Sequence, residues 1–141
     1  MDRPFVILLI DEDPAEARLI KEAWKECDVV RTEFHVVYDP KDATTFCNNS
    51  NAKGRRPNLI LLSYTTSLNG EEALRTLKGN PVSADIPVLV LTALTAPDTV
   101  RDIYGKQANC CFAKPAVGFG DLVRVIATHW LGAALLPDHA G

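Results

Sequence analysis

The feature that most constrains this chain is a series of short apolar runs separated by helix-sized segments. Phe5-Val6-Ile7-Leu8-Leu9-Ile10 opens the series, followed by Phe34-His35-Val36-Val37-Tyr38, Leu59-Ile60-Leu61-Leu62 and Ile86-Pro87-Val88-Leu89-Val90-Leu91. A short fifth run covers 109–113. A strand exposed on one face alternates apolar with polar residues, whereas a continuous run fits a parallel strand covered on both faces. Runs alternating with helical segments predict an α/β domain: a five-stranded parallel sheet with helices on both faces.

The intervening segments carry helix punctuation. Asp13 is expected to cap a helix that has Pro14 at its first position and Glu16 closing a capping box. That helix runs to about Cys27 with Ala17, Ile20 and Trp24 on its inner stripe. Asp39-Pro40 starts a second helix, which is expected to fade into a polar surface loop over 48–57. A loop through Asn69-Gly70 leads to a helix over 71–78, stopped by Gly79 with Pro81 close behind. Pro87 is tolerable at the start of its strand. Further helices are predicted over 98–106 and from about Phe119 to Leu131.

At 141 residues, 47% hydrophobic and 23% charged, the chain can bury a full core without disulfides or metal. No repeat or linker divides it, so one domain is expected over 1–141, with its core at about 5–131 and a short C-terminal tail. No apolar run is long enough to span a bilayer and no cleavable leader is recognisable, which predicts a cytoplasmic protein. The formal charge of −3 argues against a broad nucleic-acid-binding face, and Lys53-Gly54-Arg55-Arg56 reads as solvated surface. Cys27, Cys47, Cys110 and Cys111 have no C-x-x-C spacing. They are expected to be free thiols, with adjacent Cys110 and Cys111 on opposite faces of a strand.

In an open parallel sheet, ligands bind beyond the carboxyl ends of the strands, near the point where strand order reverses. Here the first strand ends in Asp11-Glu12-Asp13 and the third in Ser63. The fourth ends in Thr92-Ala93 and the fifth in Lys114-Pro115. Each has an ordinary explanation alone, since acids cap helices, Thr suits strands and Lys is usually solvated. Their coincidence at four strand ends is the informative observation.

Those segments together make the chain resemble a receiver domain of the two-component response-regulator family over essentially its whole length. The matching motifs are Val6-Ile7-Leu8-Leu9-Ile10-Asp11-Glu12-Asp13-Pro14, Pro57-Asn58-Leu59-Ile60-Leu61-Leu62, Ile86 through Ala93, and Lys114-Pro115. The tail from His129-Trp130-Leu131 to Leu136-Pro137 further resembles single-domain regulators that partner cyanobacterial phytochromes. The resemblance implies a flavodoxin-like (βα)5 fold and a non-enzymatic role in phosphorelay signalling. In the family, an aspartate ending strand three takes a phosphoryl group from a kinase histidine, with magnesium held by that aspartate and by acids after strand one. The strand-four hydroxyl and strand-five lysine, here Thr92 and Lys114, bind the phosphoryl oxygens. An aromatic ring on strand five then turns inward and reshapes the partner face.

Three departures from that pattern fall in the switch itself. The acceptor position is Ser63, which is neutral and needs a base to act as a nucleophile. His35, His129 and His139 are all remote from it in sequence. The acid pair is Asp11 and Glu12, the latter one methylene longer than the usual ligand, which matters for a metal demanding near-ideal octahedral geometry. The loop from Tyr64 to Gly70 is one residue shorter than usual, and its metal-binding carbonyl is assigned to Thr65. The switch-ring position falls on Cys111. Strand alternation turns Phe112 to the other face, although a one-residue shift in alignment would put Phe112 in the role.

These departures predict a degenerate receiver with no resident cofactor, binding magnesium weakly at most. With no acceptor charge, Lys114 is expected to pair with Asp11 or Glu12, since a buried charge requires a partner. The leading expectation is signalling by phosphorylation-independent protein–protein contact. The partner would be a histidine kinase, a phytochrome-like sensor or a downstream effector. Contact is expected through the face of helix four, strand five and helix five. Because the chain stops at Gly141 without an output domain, its output is expected to be contact with another protein. Leu131, Leu135 and Leu136 either cover a neighbouring subunit in a homodimer or pack on their own core. The alternative is a receiver that still binds magnesium and a phosphoryl group and switches conventionally. A small flavodoxin-like enzyme or nucleotide binder is remote, because G-x-S-x-G, P-loop and G-x-G-x-x-G motifs are absent.

Overall fold

In a computed structural model of the chain, which describes residues 3–65 and 70–137, five parallel strands form one sheet in the order β2-β1-β3-β4-β5. The strands are β1 (Phe5–Ile10), β2 (Thr32–Val37), β3 (Leu59–Tyr64), β4 (Val88–Thr92) and β5 (Cys110–Ala113). Between and after them lie α1 (Pro14–Glu26), α2 (Pro40–Ala52), α3 (Gly70–Gly79), α4 (Pro97–Gly105) and α5 (Gly120–Ile126). The chain order of strands reverses at β1, so β1 and β3 flank the crevice where such sheets bind ligands.

The period-two alternation within each apolar run sends its side chains to two cores. Leu8, Ile10, Ile60, Leu62, Val88 and Val90 face α2, α3 and α4, meeting Cys47, Leu74, Leu77 and Ile103. Ile7, Leu9, Leu59, Leu61, Leu89 and Leu91 face α1 and α5, meeting Ile20, Trp24, Val123 and Ile126. Burying each such side chain contributes about 1.5–3 kcal/mol, so the sheet is the main source of stability. The loop before β3 is tied in by polar pairing. Asn58 Oδ1 accepts the buried Val6 N–H at 2.7 Å, and the Asn58 N–H donates to the Val6 carbonyl at 2.8 Å.

Several local features differ from the sequence expectation. The segment 48–52 is not loop: α2 continues to Ala52 despite its polar composition. The helix stops there through a Schellman closure, with Arg55 N–H on the Ser50 carbonyl (2.8 Å) and Gly54 N–H on the Asn51 carbonyl (3.0 Å). Gly54 sits at φ +72°, the left-handed conformation that closure requires. Strand β2 begins two residues earlier than expected, because Thr32 pairs with Phe5 in the register set by β1. The predicted final helix is α5 extended by a wider turn over Ala127–Leu131, in which Gly132 N–H reaches the Ala127 carbonyl at 2.8 Å. Asn69 lies outside the described residues. Gly70 opens α3 directly under the Tyr64 ring, and a Cβ there would fall 2.5 Å from a ring carbon.

The described part of the C-terminal tail packs on its own core through Leu136. Leu131 and Leu136 are buried beside α1 and α5, whereas Leu135 is exposed. Among the described residues, no helix is long and apolar enough to cross a membrane.

Candidate functional site

Asp11, Ser63, Thr92 and Lys114 all fall at the carboxyl edge of the sheet. Ser63 and Thr92 are fixed by strand register, which places Ser63 beside Leu91 and Tyr64 beside Thr92. Lys114 follows β5 and is anchored by its own N–H on the Thr92 carbonyl at 2.8 Å. Asp11 continues β1 and is bound by its N–H to the Val37 carbonyl at 3.0 Å. Asp11, Ser63 and Thr92 are each 1% exposed, so three polar side chains are buried at one edge.

The group that joins them is Glu16. Lys114 Nζ donates to Glu16 Oε1 at 2.9 Å, and Ser63 Oγ donates to the same oxygen at 3.1 Å. Lys114 therefore pairs with neither Asp11 nor Glu12, contrary to the sequence expectation. Asp11 is engaged elsewhere: its Oδ1 accepts the Asp13 N–H at 3.0 Å. Glu12 is turned outward, and its Oε1 accepts the Thr65 hydroxyl at 3.1 Å. Thr65 thus meets the acid pair through its side chain. Nor does Glu16 close a capping box, because Asp11 supplies the acceptor for Asp13 N–H that a capping box would draw from Glu16. Asp13 is the N-cap as expected, accepting Ala15 N–H at 3.0 Å.

Glu16 is the residue at the candidate site that sequence reasoning missed. Its signal was the helical stripe itself: Glu16, Ile20 and Trp24 are spaced four apart, so Glu16 stands one turn above two buried residues on the same face. A carboxylate at that position lies within reach of the strand ends.

The electrostatics follow from the packing. Burial, and then hydrogen bonding to Glu16, push the Asp11 carboxyl up from 3.8 to about 7. Burial alone would raise Glu16 as well, but the Asp11 hydrogen bond and the Lys114 ammonium hold it below its ordinary value. Asp11 Oδ2 is buried and meets no donor among the described residues. A proton shared between the Asp11 and Glu16 carboxyls lets Asp11 be neutral while Glu16 keeps the charge that Lys114 pairs. The site is then close to neutral internally, with one carboxylate, one ammonium and one shared proton. Ser63 does have a carboxylate as neighbour, although no histidine. Held low and already bonded to an ammonium, Glu16 is a weak base for a hydroxyl.

The family's magnesium ligand set does not fit these residues. It draws a carboxylate from the acceptor position, and Ser63 offers a neutral hydroxyl that is already donating to Glu16. Among the described residues, no three His, Cys, Asp or Glu side chains are grouped to hold a metal ion.

At the position expected for the switch ring, Cys111 is half-buried and packs toward the α2–α4 core, while Cys110 and Phe112 pack toward α1 and α5. The adjacent cysteines do face opposite ways, and Phe112 is on the wrong side to stand in for the ring. All four cysteines are free thiols. An aromatic side chain does cover β5, but it comes from α4: Tyr104 Oη accepts the Cys111 N–H at 3.0 Å.

No protein-family model matches the chain. Individual proteins do. It is 33% identical over 135 residues to a protein of Methanothrix harundinacea (strain 6Ac) described as probable methanogenesis regulatory protein FilR2, covering 92% of this chain and 85% of that one. It is also 33% identical over 140 residues to response regulator Rcp1 of Synechocystis sp. (strain ATCC 27184 / PCC 6803 / Kazusa), covering 95% of this chain and 94% of Rcp1. The crystal structure of phosphorylated RcpA, a cyanobacterial phytochrome response regulator, superposes with a TM-score of 0.83 at 31% identity, over 96% of this chain and 99% of RcpA. Sheet order, the polar residues at the strand ends and the 33% identity to Rcp1 over 95% of the chain agree, and the chain belongs to the response-regulator receiver family of two-component signalling.

Proposed function

We propose that this receiver signals without being phosphorylated, as a protein–protein interaction module. The observation that carries the reading is Ser63 at the acceptor position, with its hydroxyl bonded to Glu16 and the lysine beside it already paired to the same carboxylate. Phosphoryl transfer to an aspartate needs an ionised acceptor, a metal to neutralise the incoming oxygens and a free cation. Here the acceptor is neutral, the ligand set for the metal is incomplete and the cation is occupied. Asp11, Glu12 and Thr65 are then a remnant acidic pocket, and Thr92 and Lys114 a remnant phosphoryl pocket. Thr92 Oγ1 accepts the Leu94 N–H at 2.9 Å, a role that shapes the loop after β4.

The partner is a histidine kinase of the phytochrome type, a reading supported by the identity to Rcp1 and RcpA. Contact runs through the face of α4, β5 and α5, where Tyr104 and Val125 are exposed. With Cys111 in place of a ring and Phe112 turned toward α1 and α5, β5 presents no aromatic side chain on the α4 side to carry a phosphorylation signal.

Intact-mass measurement after incubation with phosphoramidate and magnesium tests the proposal. Unmodified protein is the expected result. An adduct of one phosphoryl group mapped to Ser63 would overturn it in favour of a conventional switch.

A further inference from the structure

We infer that Glu16 is a positioning residue that closes the strand-edge pocket to phosphoryl groups by placing its own carboxylate oxygen between Lys114 and Ser63. The inference deepens the proposed function and rests on the reading of this pocket as one that is not phosphorylated. A single oxygen, Oε1, accepts from Lys114 Nζ at 2.9 Å and from Ser63 Oγ at 3.1 Å. These donors come from the ends of β5 and β3, so one side chain from α1 joins two strand ends that lie on either side of β4. Two donors converging on one anionic oxygen is the arrangement a bound phosphoryl oxygen would itself require.

The carboxylate is delivered by packing. Ile20 and Trp24, one and two turns further along the same stripe, are 1% and 2% exposed, which fixes the rotation of α1. The Lys114 and Glu16 side chains are themselves only 13% and 23% exposed. Rearrangement would separate a partly desolvated charge pair, which favours the closed state. An entering dianion must displace Glu16 from Lys114 or lie against it. Either course sets like charges together in a site of reduced dielectric. The loss of acceptor chemistry is therefore twofold: Ser63 lacks a charge, and Glu16 supplies one that faces the wrong way for a second anion. Restoring the acceptor alone leaves the second obstacle in place.

The test uses inorganic phosphate without metal, followed through the amide resonances of Ser63, Thr92 and Lys114. Wild-type protein is expected to stay silent at millimolar phosphate. Glu16→Gln keeps the length of the side chain and an oxygen that can accept from Lys114, and it removes only the charge. It is expected to give saturable shifts, with affinity at least about tenfold above wild type. Adding Lys114→Met to Glu16→Gln is expected to abolish them, which assigns the site. Glu16→Met, an apolar side chain of similar length, provides a second variant should Glu16→Gln fold poorly. A covalent readout follows in the Ser63→Asp background. There, addition of Glu16→Gln is expected to speed labelling by phosphoramidate and magnesium by at least about tenfold. Glu16 variants as silent as wild type, with no gain over Ser63→Asp alone, would overturn the inference and leave the proposed function standing. Labelling of wild-type Ser63 would overturn the proposed function, whatever the Glu16 variants do.

Discussion

Replacing Asp11 by Asn should stabilise this protein at alkaline pH and leave it nearly unchanged in mild acid. Asp11 is 1% exposed, and its carboxyl is pushed up from 3.8 to about 7 by burial and by Glu16. A carboxyl with a raised folded-state pKa binds more protons folded than unfolded. Its contribution is fully present below about pH 4 and is lost as pH rises through 7. Glu16, held low, contributes in the opposite sense, but only at pH values below its ordinary range, so Asp11 governs the window from pH 5 to 8. The span from 3.8 to about 7 corresponds to about 4 kcal/mol at most. Relaxation and water at the rim of the site reduce the measurable effect to about 2 kcal/mol. Asn reproduces the protonated form: its oxygen accepts the Asp13 N–H and its amide donates toward Glu16. Urea denaturation at pH 5 and pH 8 makes the comparison, with an unchanged m-value confirming that only stability moved. Wild-type stability should fall between the two pH values and the Asp11→Asn curve should stay flat. Equal destabilisation of Asp11→Asn at both pH values would refute the shared-proton account.

Other perturbations probe the remaining supports. Lys114→Met leaves Glu16 facing Asp11 with Ser63 as its remaining hydroxyl donor, and should cost about 1–3 kcal/mol in urea denaturation at pH 7. Asn58→Ala strips the acceptor from the buried Val6 N–H and should cost about 1–3 kcal/mol in the same assay. Gly54→Ala forces a Cβ into the left-handed region that closes α2. It should cost about 1 kcal/mol, with faster amide exchange confined to the end of that helix.

Most of the fold was legible because its signal is redundant. Each apolar run specifies a strand buried on both faces, and Asp13-Pro14 and Asp39-Pro40 each mark a helix start through a side chain that caps it. What escaped were features decided by other means. The last turn of α2 is polar, so no hydrophobic period reports it; its end is set by Gly54 two residues on. The wide turn after α5 is a choice among helical hydrogen-bond patterns that composition does not encode. At the site, positions 11, 63, 92 and 114 were readable as strand ends, since topology alone brings them together. The partner of Lys114 was not, because proximity along β1 favoured Asp11 and Glu12 over an acid from the first turn of α1. Only the continuation of the Ile20–Trp24 stripe pointed to Glu16, and its place three residues after Asp13 fitted a capping box equally well.

The central claim is that this receiver keeps the family's pocket without its phosphoryl chemistry. Amide NMR of the wild-type protein, titrated with magnesium and then with beryllofluoride as a phosphoryl mimic, tests it most directly. The account predicts no saturable shift at Asp11, Ser63, Thr92 or Lys114 and none on α4 or β5. Saturable shifts at those residues, spreading to Tyr104 and Cys111, would contradict it and establish a working switch built on serine.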